Sequence, residues 1–108
     1  MHMTDLCKQM ELFGKGIGSE PRYALVQALI KGPKTVSELV VVVKMSQPLV
    51  SQHLKTLKET GLVSDERIGQ TVQYSLNAEY MLRLLTALSK DVEKCKKTSL
   101  LAINKKNV

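Results

Sequence analysis

Three polar side chains, Ser51, Gln52 and Lys55, recur in the stretch Ser46 to Leu62 (SQPLVSQHLKTLKETGL) at a spacing that puts them on one side of a helix. A glutamine amide presents a donor and an acceptor together, which is what a base edge in a DNA major groove can pair with. Serine, lysine and a helix N-terminus hold phosphate oxygens. The chemistry these residues suit is recognition. Paired catalytic carboxylates, a nucleophile beside a base and a glycine-rich phosphate loop do not occur in the sequence, so no enzyme is expected.

A helix has to present those side chains, and the same stretch supplies its marks. Ser46 is a good N-cap, and Pro48 falls in the first turn, where a missing N–H costs little. Val50, Leu54 and Leu57 follow at i, i+4 and i+7 and make an apolar stripe. At about 100° per residue, Ser51, Gln52 and Lys55 point well away from that stripe. Gly61 ends the helix. Many amphipathic helices merely show a polar face to water, so the weight of the DNA assignment comes from the neighbouring elements.

Upstream, Thr4 or Asp5 can cap a first helix with Leu6, Met10, Phe13 and Ile17 on one side, its end weakened by Gly14, Gly16 and Gly18. Ser19-Glu20-Pro21 opens a second, with Leu25, Ala28 and Leu29 inward, closed by Lys31-Gly32-Pro33. Thr35 and Glu38 have the spacing of a capping box, so Val40 to Val43 are assigned to a third helix although four valines favour strand by propensity. Only Lys44-Met45 separates this helix from the next, which makes residues 35–62 a helix-turn-helix.

Downstream, the alternation of residues 63–76 predicts a small β-hairpin turning at Ile68 to Thr71, with Arg67 and Gln70 near its tip. A tip beside a reading helix can reach sugar-phosphate or the minor groove; an ordinary surface turn has the same pattern. Asn77 then caps a long helix over residues 78–96, and the polar, basic tail 97–108 is expected to fray. Met81, Leu84, Leu85, Leu88, Val92 and Cys95 line one side of that helix. A small domain needs only part of so long a stripe, and the remainder calls for the same helix of a second subunit. The fold class is thus mostly α with a small β-hairpin, a single winged helix-turn-helix domain over residues 1–108.

Sixteen Lys and Arg against ten Asp and Glu leave a net charge of +6, which suits an anionic partner. No apolar run approaches the length of about 18 residues that a membrane helix needs, and the N-terminus lacks a signal sequence, so a cytoplasmic protein without a membrane partner is expected. The absence of Trp and the single Phe argue against a base-stacking binder of single strands.

The run SQPLVSQHLKTLKETGLVSDERIGQTVQYSL, residues 46–76, resembles the signature of the ArsR/SmtB family of bacterial repressors. SEPRYALVQAL (19–29) is similar to that family's second helix and TVSEL (35–39) to the start of its third. The resemblance covers roughly residues 10–96. It implies a homodimer paired through the first and last helices, residues 4–18 and 78–96, with Leu6, Met10, Met81, Leu84, Leu85, Leu88 and Val92 in the interface. It also implies binding to a palindromic double-stranded operator, repression of transcription, and release by an inducer. Carried over by position, Gln47, Pro48, Ser51, Gln52 and Lys55 belong to the recognition helix, with His53 beside them; Arg67 and Gln70 belong to the wing. His53 lies about 60° round from the apolar stripe, a position that favours packing at its edge.

Departures from the family pattern bear on sensing. Where many metal-sensing members carry C-x-C after the Glu-Leu of the third helix, this chain has Val40 and Val42, without ligand atoms. The last helix has Glu79, Asp91 and Glu93 but no histidine for the zinc site of other members. No cofactor or metal is therefore expected. Cys7 and Cys95 lie on helices that the family packs together. They can be a thiol redox switch, a soft-metal or metalloid site, or plain apolar residues. Two rival functions remain: a non-specific DNA-coating protein, and a winged-helix adaptor that binds protein instead of DNA.

Overall fold

The computed structural model describes residues 3–106, with side chains for residues 5–98. Five helices and three short strands follow in the order α1 (Met3–Ile17), α2 (Glu20–Ile30), β1 (Lys34–Thr35), α3 (Val36–Val43), α4 (Gln47–Glu59), β2 (Val63–Ile68), β3 (Thr71–Leu76) and α5 (Ala78–Lys106). The valine run is helical. The Thr35 hydroxyl accepts from the Glu38 N–H at 3.2 Å and the Glu38 carboxylate accepts from the Thr35 N–H at 3.0 Å, so both halves of the capping box form. Lys44 then takes a left-handed conformation (φ 56°) and closes α3, its N–H bonded to the Val40 carbonyl. Local capping outweighs β propensity here, although Leu39 is the only fully inward residue of the helix.

The core is assembled from Leu25, Val26, Ala28 and Leu29 of α2, Leu39 of α3, Val50, Leu54 and Leu57 of α4, and Leu62, Val63 and Met81. Each fully buried leucine or valine of this set contributes about 1.5–3 kcal/mol relative to exposure. The glycine at position 16 lets α1 lie close against the end of α4: an added Cβ would meet Leu62 Cδ1 at 2.6 Å and Thr60 Oγ1 at 2.7 Å. Arg22 ties down the C-terminal end of α1, its guanidinium donating to the carbonyls of Gly16 at 2.7 Å and Lys15 at 2.9 Å. A cation on the last carbonyls of a helix also complements the helix dipole.

The sheet is antiparallel in the order β1-β3-β2. The hairpin was legible in the alternation; the two-residue β1, which pairs Lys34 with Tyr74 and Thr35 with Gln73, is too short to have left a pattern. Gly69 has φ +65° and Gln70 does not have a positive φ, the pattern of a two-residue type II′ loop.

Three expectations are corrected and one is extended. The first helix starts at Met3, so Thr4 and Asp5 lie inside its first turn, where Asp5 favours the dipole. Ser46 occupies the N-cap of α4, but its side chain makes no capping bond. Asn77 stands at the N-cap of α5 as expected, its carbonyl accepting from the Met81 N–H at 3.0 Å. Its reach beyond the cap was not: the side-chain amide donates to the Gly61 carbonyl at 2.6 Å, while the Asn77 N–H bonds Leu62 O at 2.9 Å. These two bonds close the base of the hairpin. Finally, α5 runs on to Lys106, ten residues beyond the expected end, because no Gly or Pro interrupts Lys97 to Lys106; residues 107–108 lie outside the described part.

Candidate nucleic-acid interface

The helices α3 and α4 meet at the Lys44-Met45 turn, and β2 leaves α4 after Gly61, whose φ of +83° turns the chain sharply. Between these two joints, α4 is fixed by its own apolar stripe: Val50, Leu54 and Leu57 are completely buried. Because the stripe is sealed, the opposite side has to face outward. Gln47, Pro48, Ser51, Gln52 and Lys55 are all exposed. His53 is half-buried at the edge of the stripe, as its angle suggested. The wing carries Arg67 and Gln70, both exposed, at the end of the hairpin away from its tied base.

The α4 N-terminus is open as well as exposed. Ser46 spends its hydroxyl on no capping bond, Pro48 has no N–H to satisfy, and the first turn holds no acid. Backbone donors and a free hydroxyl on one exposed helix end suit an oxyanion of a nucleic-acid backbone. Two features near this surface were not singled out from sequence. Thr56 donates to the Gln52 carbonyl at 3.4 Å, and the Lys58 ammonium donates to Asp65 Oδ2 at 2.9 Å across the α4–wing joint. The first follows from i, i+4 geometry; the second needed the angle at Gly61, which sequence does not fix.

The opposite end of the molecule is apolar. Met81 and Leu84, assigned to the dimer surface from sequence, are instead 8% and 0% exposed and belong to this chain's own packing. The one-residue offset matters: Leu82, Leu85, Leu88 and Val92 are 64%, 41%, 39% and 58% exposed. Leu82, one step round from Met81, was overlooked. Leu6 and Met10 of α1 are half-buried. Near the start of α5 the stripe opens into a cleft of about 380 Å³ lined by Leu29, Ile30, Leu76, Met81, Leu82 and Leu85. Cys7 and Cys95 are exposed free thiols. Among the described residues, no group of three or more His, Cys, Asp or Glu side chains could hold a metal ion, and no helix is long and apolar enough to cross a membrane.

The sequence profile of the arsR family of bacterial regulatory proteins matches residues 19–65, from the cap of α2 into the wing. The HTH-type transcriptional repressor SmtB of Mycobacterium tuberculosis is 38% identical over 71 residues, 66% of this chain and 53% of that protein. The chain thus spans about half the length of that relative. The transcriptional repressor SdpR of Bacillus subtilis is 35% identical over 63 residues, covering 58% of this chain and 70% of SdpR. The crystal structure of NolR from Sinorhizobium fredii superposes with a TM-score of 0.65 at 30% identity, over 81% of this chain and 87% of that one. A reading helix anchored by its leucines, a wing tied at its base and these likenesses lead to one assignment: the chain belongs to the arsR family of bacterial regulatory proteins.

Proposed function

We propose that the chain is a sequence-specific transcriptional repressor that binds a palindromic double-stranded operator as a homodimer and is released by an inducer. The observation that carries this is the division of α4, with Val50, Leu54 and Leu57 sealed inside while Ser51, Gln52 and Lys55 stand exposed beside an exposed wing. The exposed stripe of Leu82, Leu85, Leu88 and Val92 supports pairing with a second copy. A dimer of this kind sets two reading helices in successive major grooves, about 34 Å apart. Backbone contacts supply most of the affinity, and the amide side chains choose the sequence.

The test is a binding titration on operator and random duplex at several salt concentrations. Gln52→Ala is expected to lower operator-over-random discrimination by about 1–3 kcal/mol, and Lys55→Ala or Arg67→Ala to flatten the salt dependence by about one phosphate contact each. Equal loss on both duplexes from Gln52→Ala would remove its base-reading role. Equal affinity of the wild type for any duplex points to a DNA-coating protein, and no salt-dependent binding at all to an adaptor.

Release through thiol chemistry is the finer part of the proposal. It is supported by the exposure of both Cys7 and Cys95, which leaves their sulfurs open to oxidants and soft metals. DNA release assayed against Zn, Cd, As(III), peroxide and persulfide, with Cys7→Ser and Cys95→Ser, separates a redox switch from a metalloid site. Unchanged responses in both variants would place sensing elsewhere.

A further inference from the structure

Of the two lysines on α4, Lys55 stands without an ion pair among the described residues and Lys58 is held. Lys58 Nζ lies 2.9 Å from Asp65 Oδ2, with side-chain exposures of 54% and 30%. Round the helix axis, Lys58 sits about 20° from Ser51 and about 60° from Lys55, on the flank of the outward face that borders the wing. Asp65 is the third residue of β2, opposite Tyr74 in the register. Strand alternation puts it on the same side of the hairpin as Arg67, with Glu66 on the other side.

We propose that Asp65 restrains sequence-independent DNA binding by masking the Lys58 charge at the border of the reading face. The proposal rests on the DNA-binding function argued above. An unmasked ammonium at this position would add a phosphate contact that carries no sequence information, and such contacts dominate non-specific affinity. Competing genomic sites outnumber an operator by orders of magnitude, so a lower affinity for random duplex frees the regulator to find its site. The hydrogen bond and the attraction of Asp65 hold the Lys58 ammonium above its ordinary range, so it stays charged and paired.

The experiment measures affinity for random duplex against salt for wild type, Asp65→Asn, Glu66→Gln, Lys55→Ala and the double variant Asp65→Asn/Lys58→Gln. An exposed ion pair contributes little to folding, so all should remain folded. Asp65→Asn is expected to steepen the log–log slope by about 0.9, which makes the loss of affinity between 50 and 200 mM salt about 3.5-fold larger. The double variant should return to the wild-type slope. Glu66→Gln removes the same charge one residue away and should move the slope much less. Equal shifts from Asp65→Asn and Glu66→Gln would reduce the effect to net charge and overturn the masking role. An unchanged slope for Asp65→Asn, with Lys55→Ala flattening it, overturns this inference alone. A wild type that binds without salt dependence overturns the DNA-binding function together with it.

Discussion

Helices α4 and α5 each carry a leucine stripe, and the two stripes meet different fates. On α4 the stripe is spent inside the chain, on Val50, Leu54 and Leu57, and the face left over is polar and basic. On α5, among the described residues, Met81 and Leu84 of the stripe go into the chain's own packing, and Leu82, Leu85, Leu88 and Val92 are left outside. The helix is 29 residues long, about 43 Å at 1.5 Å per residue, and the body of the domain reaches only its first turns. A surface that is polar because its apolar residues are satisfied suits a polar partner such as a duplex. A surface that is apolar because its residues are unsatisfied suits a second copy of itself. The comparison predicts that core, pairing surface and cap respond separately to substitution.

The largest effect belongs to the spent stripe. Leu54 is fully buried, and Leu54→Ala should cost about 2–5 kcal/mol of folding stability, read from the shift in a urea or thermal transition. DNA binding would fall with it, because Leu54 is the central one of the three buried residues that anchor the polar face of α4. A loss below about 1 kcal/mol would mean that α4 is held by something other than its leucines.

Next comes the unspent stripe. Leu85→Glu places a charge where two copies would meet, and the dimer dissociation constant should rise by about 30-fold or more, corresponding to about 2 kcal/mol at an interface centre. Since Leu85 is already 41% exposed within its chain, folding stability should move by no more than about 0.5 kcal/mol. Sedimentation at several protein concentrations measures the first and a denaturation curve the second. A variant that loses folding stability while its dissociation constant stays unchanged would reverse the roles assigned to α4 and α5.

Much of this contrast was legible in the amino-acid sequence, for a physical reason. Capping pairs such as Thr35 and Glu38 act within three residues, and stripes such as Val50, Leu54 and Leu57 repeat within two turns, so both are written locally. The reading face and the wing tip are determined by those local rules. What was illegible depends on angles between elements. Met81 and Leu84 were placed at the subunit surface because periodicity finds a stripe without saying which edge the domain itself will use. Asn77 carries a cap-forming side chain, but the Gly61 carbonyl lies within its reach only once the hairpin has folded back. The Lys58–Asp65 pair likewise joins residues seven apart across a glycine turn. The family resemblance supplied what spacing did not, the expectation that the first and last helices pair.

The smallest effect separates the two surfaces by pH. Glu38 accepts from the Thr35 N–H, which together with the Thr35 hydroxyl and the nearby Lys34 holds its carboxyl below the usual value of 4.5. A group whose pKa is lower in the folded chain adds stability above its unfolded pKa and loses it as pH falls through the folded one. The contribution of the α3 cap should therefore be constant from pH 7 down to about 5 and decline below 4.5. Glu38→Gln keeps an acceptor at the same place but cannot titrate, so its urea midpoint relative to wild type should improve as the pH drops through that window. Because α3 holds the N-terminal joint of α4, the change should reach the reading helix, while a dimer paired through α5 would keep its own pH response. A gap between the two proteins that stays the same from pH 7 to 3 would show that the carboxylate charge contributes nothing to the cap, and that its hydrogen bond alone positions the helix-turn-helix.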